Sequence, residues 1–144
     1  MDIAESKLDF VGKVDKTITR HTRGNTNITI VDLFTYDPAG RLTRQTQSIN
    51  GANPPEVIVA NTYDELGQLT SKKVGGKTTQ GLQNVDYAYN IRGWLTGINN
   101  DPTNNLVLNT SEKDLFSFKI NYNTIADNVP GNENMVMNTT ILID

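Results

Sequence analysis

Tyr36-Asp37-Pro38-Ala39-Gly40-Arg41-Leu42-Thr43 decides the fold, because its frame returns twice along the chain. It returns as Tyr63-Asp64-Glu65-Leu66-Gly67-Gln68-Leu69-Thr70 and as Tyr89-Asn90-Ile91-Arg92-Gly93-Trp94-Leu95-Thr96. A worn copy, Leu8-Asp9-Phe10-Val11-Gly12-Lys13-Val14, precedes them, and from Leu8 the starts fall 28, 27 and 26 residues apart. A fifth start, Tyr122-Asn123, follows 33 residues later without the glycine in register. Self-similarity at this period marks a repeat architecture, in which each unit buries its apolar surface only against its neighbours.

The frame reads as a hairpin turn. Pro38 presets φ for the second position of a type I turn, and Gly40 accepts the left-handed conformation that closes a three-residue loop with a G1 bulge. Asp37 can accept backbone hydrogen bonds two residues on. This geometry pairs Tyr36 with Leu42 on one face and Asp37 with Arg41 on the other. Gly40, Gly67 and Gly93 are therefore expected at positive φ.

A second set of turns, Gly24-Asn25, Asn50-Gly51, Gly75-Gly76 and Asn99-Asn100-Asp101-Pro102, alternates with the first. The first three are dipeptides that favour two-residue I′ or II′ hairpins. No stretch between turns shows helical periodicity. The chain is thus expected to be all-β, an antiparallel meander of about nine strands in one segment spanning 1–144, with a loop at 123–134 and a last strand from Met135 to Ile143. Period-2 alternation assigns the faces. Ile28, Ile30, Phe34 and Tyr36 share parity, as do Val57, Val59 and Tyr63, Val85, Tyr87 and Tyr89, and Phe116, Phe118, Ile120 and Tyr122. Val14 and Ile18 are read onto one face after the first turn. Tyr36, Leu42, Tyr63, Leu69, Tyr89 and Leu95 should line a dry side, and Lys13, His21, Thr43 and Thr70 the wet one.

The repeated Tyr-Asp-x-x-Gly-x-Leu resembles the YD repeats of the RHS (rearrangement hot spot) family. That family includes bacterial polymorphic toxins, insecticidal toxin complexes and, more distantly, animal teneurins. The similarity runs from about Leu8 to Tyr122, and Tyr87-Ala88-Tyr89-Asn90-Ile91-Arg92-Gly93-Trp94-Leu95-Thr96 looks like the Bacteroidetes-type version. The resemblance implies a curved β-strip, a slice of the hollow shell that in toxin members encloses a C-terminal effector. It also implies secretion or display at the cell surface as part of a larger protein. The family's Asp-Pro-x-Gly-Leu self-cleavage signature has no counterpart, since Asp101-Pro102-Thr103 lacks the Gly-Leu. The chain reads as an excised piece of shell wall or a short orphan.

Composition narrows the function further. Net charge is −3 without long runs of either sign, which argues against a nucleic-acid or anionic-membrane surface. There is no cysteine, so disulfides, thiol nucleophiles and cysteine–metal sites are excluded. No apolar run approaches a membrane span, and Met1-Asp2-Ile3-Ala4-Glu5 is not a signal peptide.

Catalysis finds no constellation. His21 is the single histidine, set among Arg20 and Arg23 on a polar strand face. Asp9, Asp37 and Asp64 occupy equivalent turn positions, where capping explains them. The oxygen-rich Asp127-Asn128 and Asn132-Glu133-Asn134 do not match an EF-hand loop. Gly75-Gly76-Lys77-Thr78-Thr79 lacks the earlier glycine of a phosphate loop.

The reading is therefore a non-catalytic scaffold with no catalytic, cofactor-binding or metal residues, whose partners are other repeats or an effector domain of the parent protein. The alternative is a cell-surface module that binds carbohydrate or protein through Trp94, which could stack on a sugar ring. Four repeats are too few to close a shell, so the isolated chain is also expected to self-associate, apolar face to apolar face.

Overall fold

The structure, a computed structural model, describes residues 1–77, 81–100, 106, 114–122 and 138–143. Its elements are β1 (Asp2–Leu8), β2 (Val14–Arg23), β3 (Thr26–Tyr36), β4 (Leu42–Ile49), β5 (Glu56–Tyr63), β6 (Leu69–Val74), β7 (Gln83–Tyr89), β8 (Leu95–Ile98), β9 (Phe116–Asn121) and β10 (Asn138–Ile143). Neighbours follow chain order throughout, an antiparallel meander of ten strands where the turn count predicts about nine. The expected loop at 123–134 lies outside the described residues. Among the described residues no helix is long and apolar enough to cross a membrane, which says nothing of membrane β-barrels.

Turn chemistry explains the path. All four motif glycines have positive φ: Gly12 at 87°, Gly40 at 81°, Gly67 at 85° and Gly93 at 79°. Of the second set, Gly24-Asn25 closes a two-residue hairpin between β2 and β3 as expected, whereas Asn50-Gly51 and Gly75-Gly76 lie in connections longer than two residues, between β4 and β5 and between β6 and β7. Asn50 (φ 50°) with Gly51 (φ 74°), and Gly75 (φ 69°) with Gly76 (φ 90°), place two successive residues in the left-handed region. That is the geometry whose twist suits a hairpin. At Gly24-Asn25 only the glycine (φ 55°) is left-handed, the II′ pattern.

The chain divides into two compact units. Met1–Thr62 with Lys73–Leu82 forms the first, and Tyr63–Lys72 with Gln83–Asp144 the second. In the first, β1 to β5 are hydrogen-bonded in succession. The turn after β6 closes on β5, with Val57 donating to the Gly76 carbonyl (2.7 Å) and Gly75 to that of Ile58 (3.3 Å). In the second, β7 to β10 pair in succession.

Register bears out the pairing of Tyr36 with Leu42 and of Tyr89 with Leu95, and the worn first copy pairs Leu8 with Val14 in the same way. It also corrects the face assignment. One residue after each of those Leu or Val partners is bulged out: Asp15, Thr43 and Thr96 have no partner opposite, because the register slips there. An extra residue reverses the alternation beyond it. Val14 faces with Leu8, but Ile18 pairs with Glu5, so Val14 and Ile18 lie on opposite faces. His21 pairs with Ile28 and shares the face of Ile30 and Tyr36, against the expectation that it lies opposite them. A further bulge at Ile58 separates Val57, opposite Thr46, from Val59, opposite Gln45.

A clean dry face is also absent. Among the described residues Val57 (4% exposed) is the one buried hydrophobic side chain, while Asn99, Asp114 and Ser117 are buried and polar. In the first unit the Tyr36 face carries Asp32 in its middle. Asp32 accepts from Thr17 Oγ1 (3.3 Å), Gln45 Nε2 (3.3 Å) and Gln47 Nε2 (3.0 Å). A polar band thus crosses the column of Ile30 and Phe34.

Gly67→Val should lower stability by roughly 1 kcal/mol or more, since a β-branched residue meets a steric penalty at φ 85°. Urea denaturation of both proteins checks it, and an unchanged midpoint would sink the turn assignment.

Candidate functional site

Every motif turn is wired alike. The residue at the Asp position donates its N–H to the carbonyl four residues on: Asp9 to Lys13 (2.7 Å), Asp37 to Arg41 (3.0 Å), Asp64 to Gln68 (3.0 Å) and Asn90 to Trp94 (2.9 Å). The glycine N–H returns to the carbonyl of that same residue at 2.8–3.2 Å. The side chain completes the cap. Oδ1 of Asp9, Asp37, Asp64 and Asn90 accepts the N–H of Lys13 (2.8 Å), Arg41 (2.8 Å), Gln68 (2.8 Å) and Trp94 (3.0 Å). Capping thus accounts for Asp9, Asp37 and Asp64 and for the asparagine that replaces them at position 90.

Asp37 has a further partner. Arg41 Nε donates to its Oδ2 at 2.6 Å. The Arg41 backbone N–H holds the Asp37 carboxyl below its ordinary value of 3.8, burial opposes this, and the Arg41 guanidinium adds to the depression.

A second device joins one repeat to the one before it. Tyr36 donates its hydroxyl to the carbonyl of Val14 (3.0 Å), Tyr89 to that of Leu69 (3.0 Å) and Tyr122 to that of Leu95 (2.9 Å). In each case the acceptor is the Leu-position residue of the preceding motif. Sequence reasoning assigned these tyrosines to apolar pairing and missed the bond. The signal available was the use of Tyr, never Phe, at motif starts 36, 63, 89 and 122. Tyr122 makes the bond although its motif has decayed. Burial raises the pKa of Tyr89 above 10.0, with the charges of Tyr87 and Asp64 adding to it.

In the first and last copies of the motif the residue after the glycine covers the next tyrosine. Lys13 Nζ lies 5.4 Å from the Tyr36 ring centroid. Trp94 takes the same place over Tyr122, ring centroids 5.2 Å apart and tilted by 51°. The guanidinium of Arg92 sits 5.3 Å from the Trp94 ring. Trp94 is 44% exposed, yet it is engaged by both neighbours.

Two asparagines outside the motif do a related job. Asn50 and Asn99 are left-handed (φ 50° and 54°). Each exchanges two bonds with the backbone of an adjacent strand residue. Asn50 N–H donates to the Thr29 carbonyl and its Oδ1 accepts from Thr29 N–H, both at 2.8 Å. Asn99 does the same with Asp86, both at 2.9 Å. Its amide nitrogen also donates to the Phe116 carbonyl (2.9 Å), which ties β9 to the turn.

The remaining candidates are placed as follows. His21 Nδ1 lies 3.0 Å from Asp2 Oδ1 beside the exposed strand β1, and Arg20 pairs with Glu5 at 3.0 Å. Among the described residues no group of three or more His, Cys, Asp or Glu converges to hold a metal ion. In the first unit a shallow groove of about 490 Å³ separates the first two motif turns, lined by Phe10, Lys13, Tyr36 and Pro38 among others. The Asp127–Asn134 segment lies outside the described residues. No protein-family model matches the chain, and no curated protein matches it.

Two outcomes follow from the wiring. Tyr89→Phe leaves the Leu69 carbonyl without this donor and should cost about 0.5–1.5 kcal/mol in urea denaturation. Asp37→Asn keeps the Oδ1 acceptor, as Asn90 shows, and removes the charge. A carboxyl depressed by folding stabilises fully above its unfolded value, here 3.8, and loses that contribution as pH falls through the lower folded value. Denaturation midpoints at neutral pH and near about pH 2.5 should therefore differ less in Asp37→Asn than in the parent.

Proposed function

We propose that this chain is a non-catalytic structural segment of an RHS/YD-repeat protein, a strip of curved β-sheet wall that encloses or presents an effector domain outside the cell or at its surface. The observation that carries the reading is that the Tyr, Asp, Gly and Leu positions of the frame each have a structural task, and Thr43 at its end donates its hydroxyl to the Thr35 carbonyl (3.0 Å). Tyr bonds the preceding repeat, Asp or Asn caps the turn, Gly takes the left-handed corner, and Leu pairs with Tyr and supplies the carbonyl. A frame used wholly for stacking supports a scaffold built from interchangeable units.

The alternative, a surface module that binds carbohydrate or protein, rests on Trp94 and its partial exposure. Arg92 over the indole and Tyr122 against it weigh toward a packing role, because a stacked sugar would have to displace one of them.

Interchangeable units make a sharp test. Deleting Arg41–Gly67 removes 27 residues and joins Gly40 to Gln68, restoring an intact Tyr-Asp-Pro-Ala-Gly-Gln-Leu-Thr frame. The shortened protein should keep its β-sheet circular dichroism and a cooperative unfolding transition. Deleting only Arg41–Asn53 breaks the frame and should abolish both. Collapse of the in-register deletion would overturn the repeat-wall reading. Trp94→Ala separates the alternative: capture on a glycan array that disappears in this variant would favour the binding module.

A further inference from the structure

We propose that one face of the first unit docks a partner polypeptide whose surface offers carboxylates beside apolar side chains. Register sorts the charges of β1 to β4 between the two faces. Lys7 stands opposite Lys16, Lys16 opposite Leu33, and Leu33 opposite Thr46. Alternation puts Glu5, Arg20 and Arg44 on the same side. The other side carries Asp2, Asp32, His21 and Arg23, with Glu56 across from Gln47. Strands that interleave the two signs, as in Asp15-Lys16-Thr17-Ile18-Thr19-Arg20, thus present a basic face that no run in the sequence announces.

Lys7, Lys16, Arg20 and Arg44 share that face with the single carboxylate Glu5, which Arg20 already holds at 3.0 Å. The side chains of Lys7, Lys16 and Arg44 make no ion pair or hydrogen bond among the described residues. Lys7 against Lys16 is a like-charge pair on adjacent strands, about 5 Å apart at the backbone, and such pairs destabilise a sheet. An anion placed between the two ammonium groups would relieve the repulsion. The chain as a whole carries −3, so this face stands against its net charge.

Apolar exposure narrows the anion to a polypeptide. Leu33 (46% exposed) lies beside Lys16 and diagonal to Arg44, and Ile3 (39% exposed) lies opposite Arg20. A chain that offers carboxylates next to apolar side chains pairs the cations and covers Leu33 and Ile3 together. Nucleic acid fits less well, because this face of β1 to β4 carries no aromatic ring on which a base could stack.

A short fluorescein-labelled peptide of alternating Glu and Leu is the probe, read by fluorescence anisotropy. The parent protein should bind it saturably, and more weakly as salt rises. Lys7→Gln combined with Lys16→Gln should weaken binding about fivefold or more, and Leu33→Ser should weaken it as well. Arg23→Gln removes the same charge from the opposite face of β2 and should leave binding unchanged. Because the two lysines repel each other, Lys7→Gln should also leave the urea midpoint of the free chain unchanged or raised. A lowered midpoint would mean that lost binding came from lost folding, and would overturn the like-charge argument. The proposal is overturned too if the parent shows no saturable binding, or if Arg23→Gln loses as much as the lysine variants. Equally tight binding of an alternating Glu–Ser peptide, or of oligothymidylate, would also sink it. This inference does not rest on the repeat-wall reading, because the in-register deletion of Arg41–Gly67 leaves Lys7, Lys16 and Leu33 in place and tests that reading separately.

Discussion

A tyrosine hydroxyl given to the backbone of the preceding repeat is the bond on which the stack depends. A lone hairpin is marginal in water, and its motif turn, however well capped, holds only its own two strands. The bonds from Tyr36 to Val14, Tyr89 to Leu69 and Tyr122 to Leu95 reach across 22, 20 and 27 residues. Each ties the start of one turn to the exit of the turn before it. The acceptor must be a carbonyl that the strand ladder leaves available. At Val14 and Leu95 it lies one residue before the bulge, where Asp15 and Thr96 interrupt the pairing; before the bulge at Thr43 the Leu42 carbonyl accepts from Asn61 Nδ2 (3.0 Å). At those two positions bulge and tyrosine act together in one joint.

That joint explains which parts of the fold were legible in the sequence. Gly40, Gly67 and Gly93 fixed the turns, because positive φ is a property of a single residue and shows in its identity. The pairing of Tyr36 with Leu42 followed from loop length. Faces were misread wherever a bulge intervened, because a bulge at Asp15 or Thr43 needs no special residue and leaves the composition unmarked. Val14 and Ile18 therefore look alike in the sequence and lie on opposite faces in the sheet. The candidate site was legible to a similar degree. Trp94 stood out as a residue type, but its contact with Tyr122 depends on a neighbour in the next repeat. Period-2 reading along one strand does not see across repeats.

The energetic consequence is a protein held by local wiring more than by a core. Val57 is the one buried hydrophobic side chain among the described residues, and the buried polar ones are bonded into turns and strands, as with Asn99 to Asp86 and Phe116. Burial at about 25 cal/mol per Å² then contributes little within a single sheet, and stability rests on repeated hydrogen-bonded joints between neighbours.

This division of labour bears on function. A catalytic site needs residues that differ from their counterparts in other repeats and converge from several elements. Here the most distinctive side chain in the frame, Trp94, stands where Lys13 stands in the first repeat and does the same work over the following tyrosine. Substitution at that position changes the chemistry of the covering group and keeps its geometry. Such variation leaves the backbone path of the turn unchanged. In this chain the path is set by glycine, the turn-capping acid or amide, and the tyrosine hydroxyl.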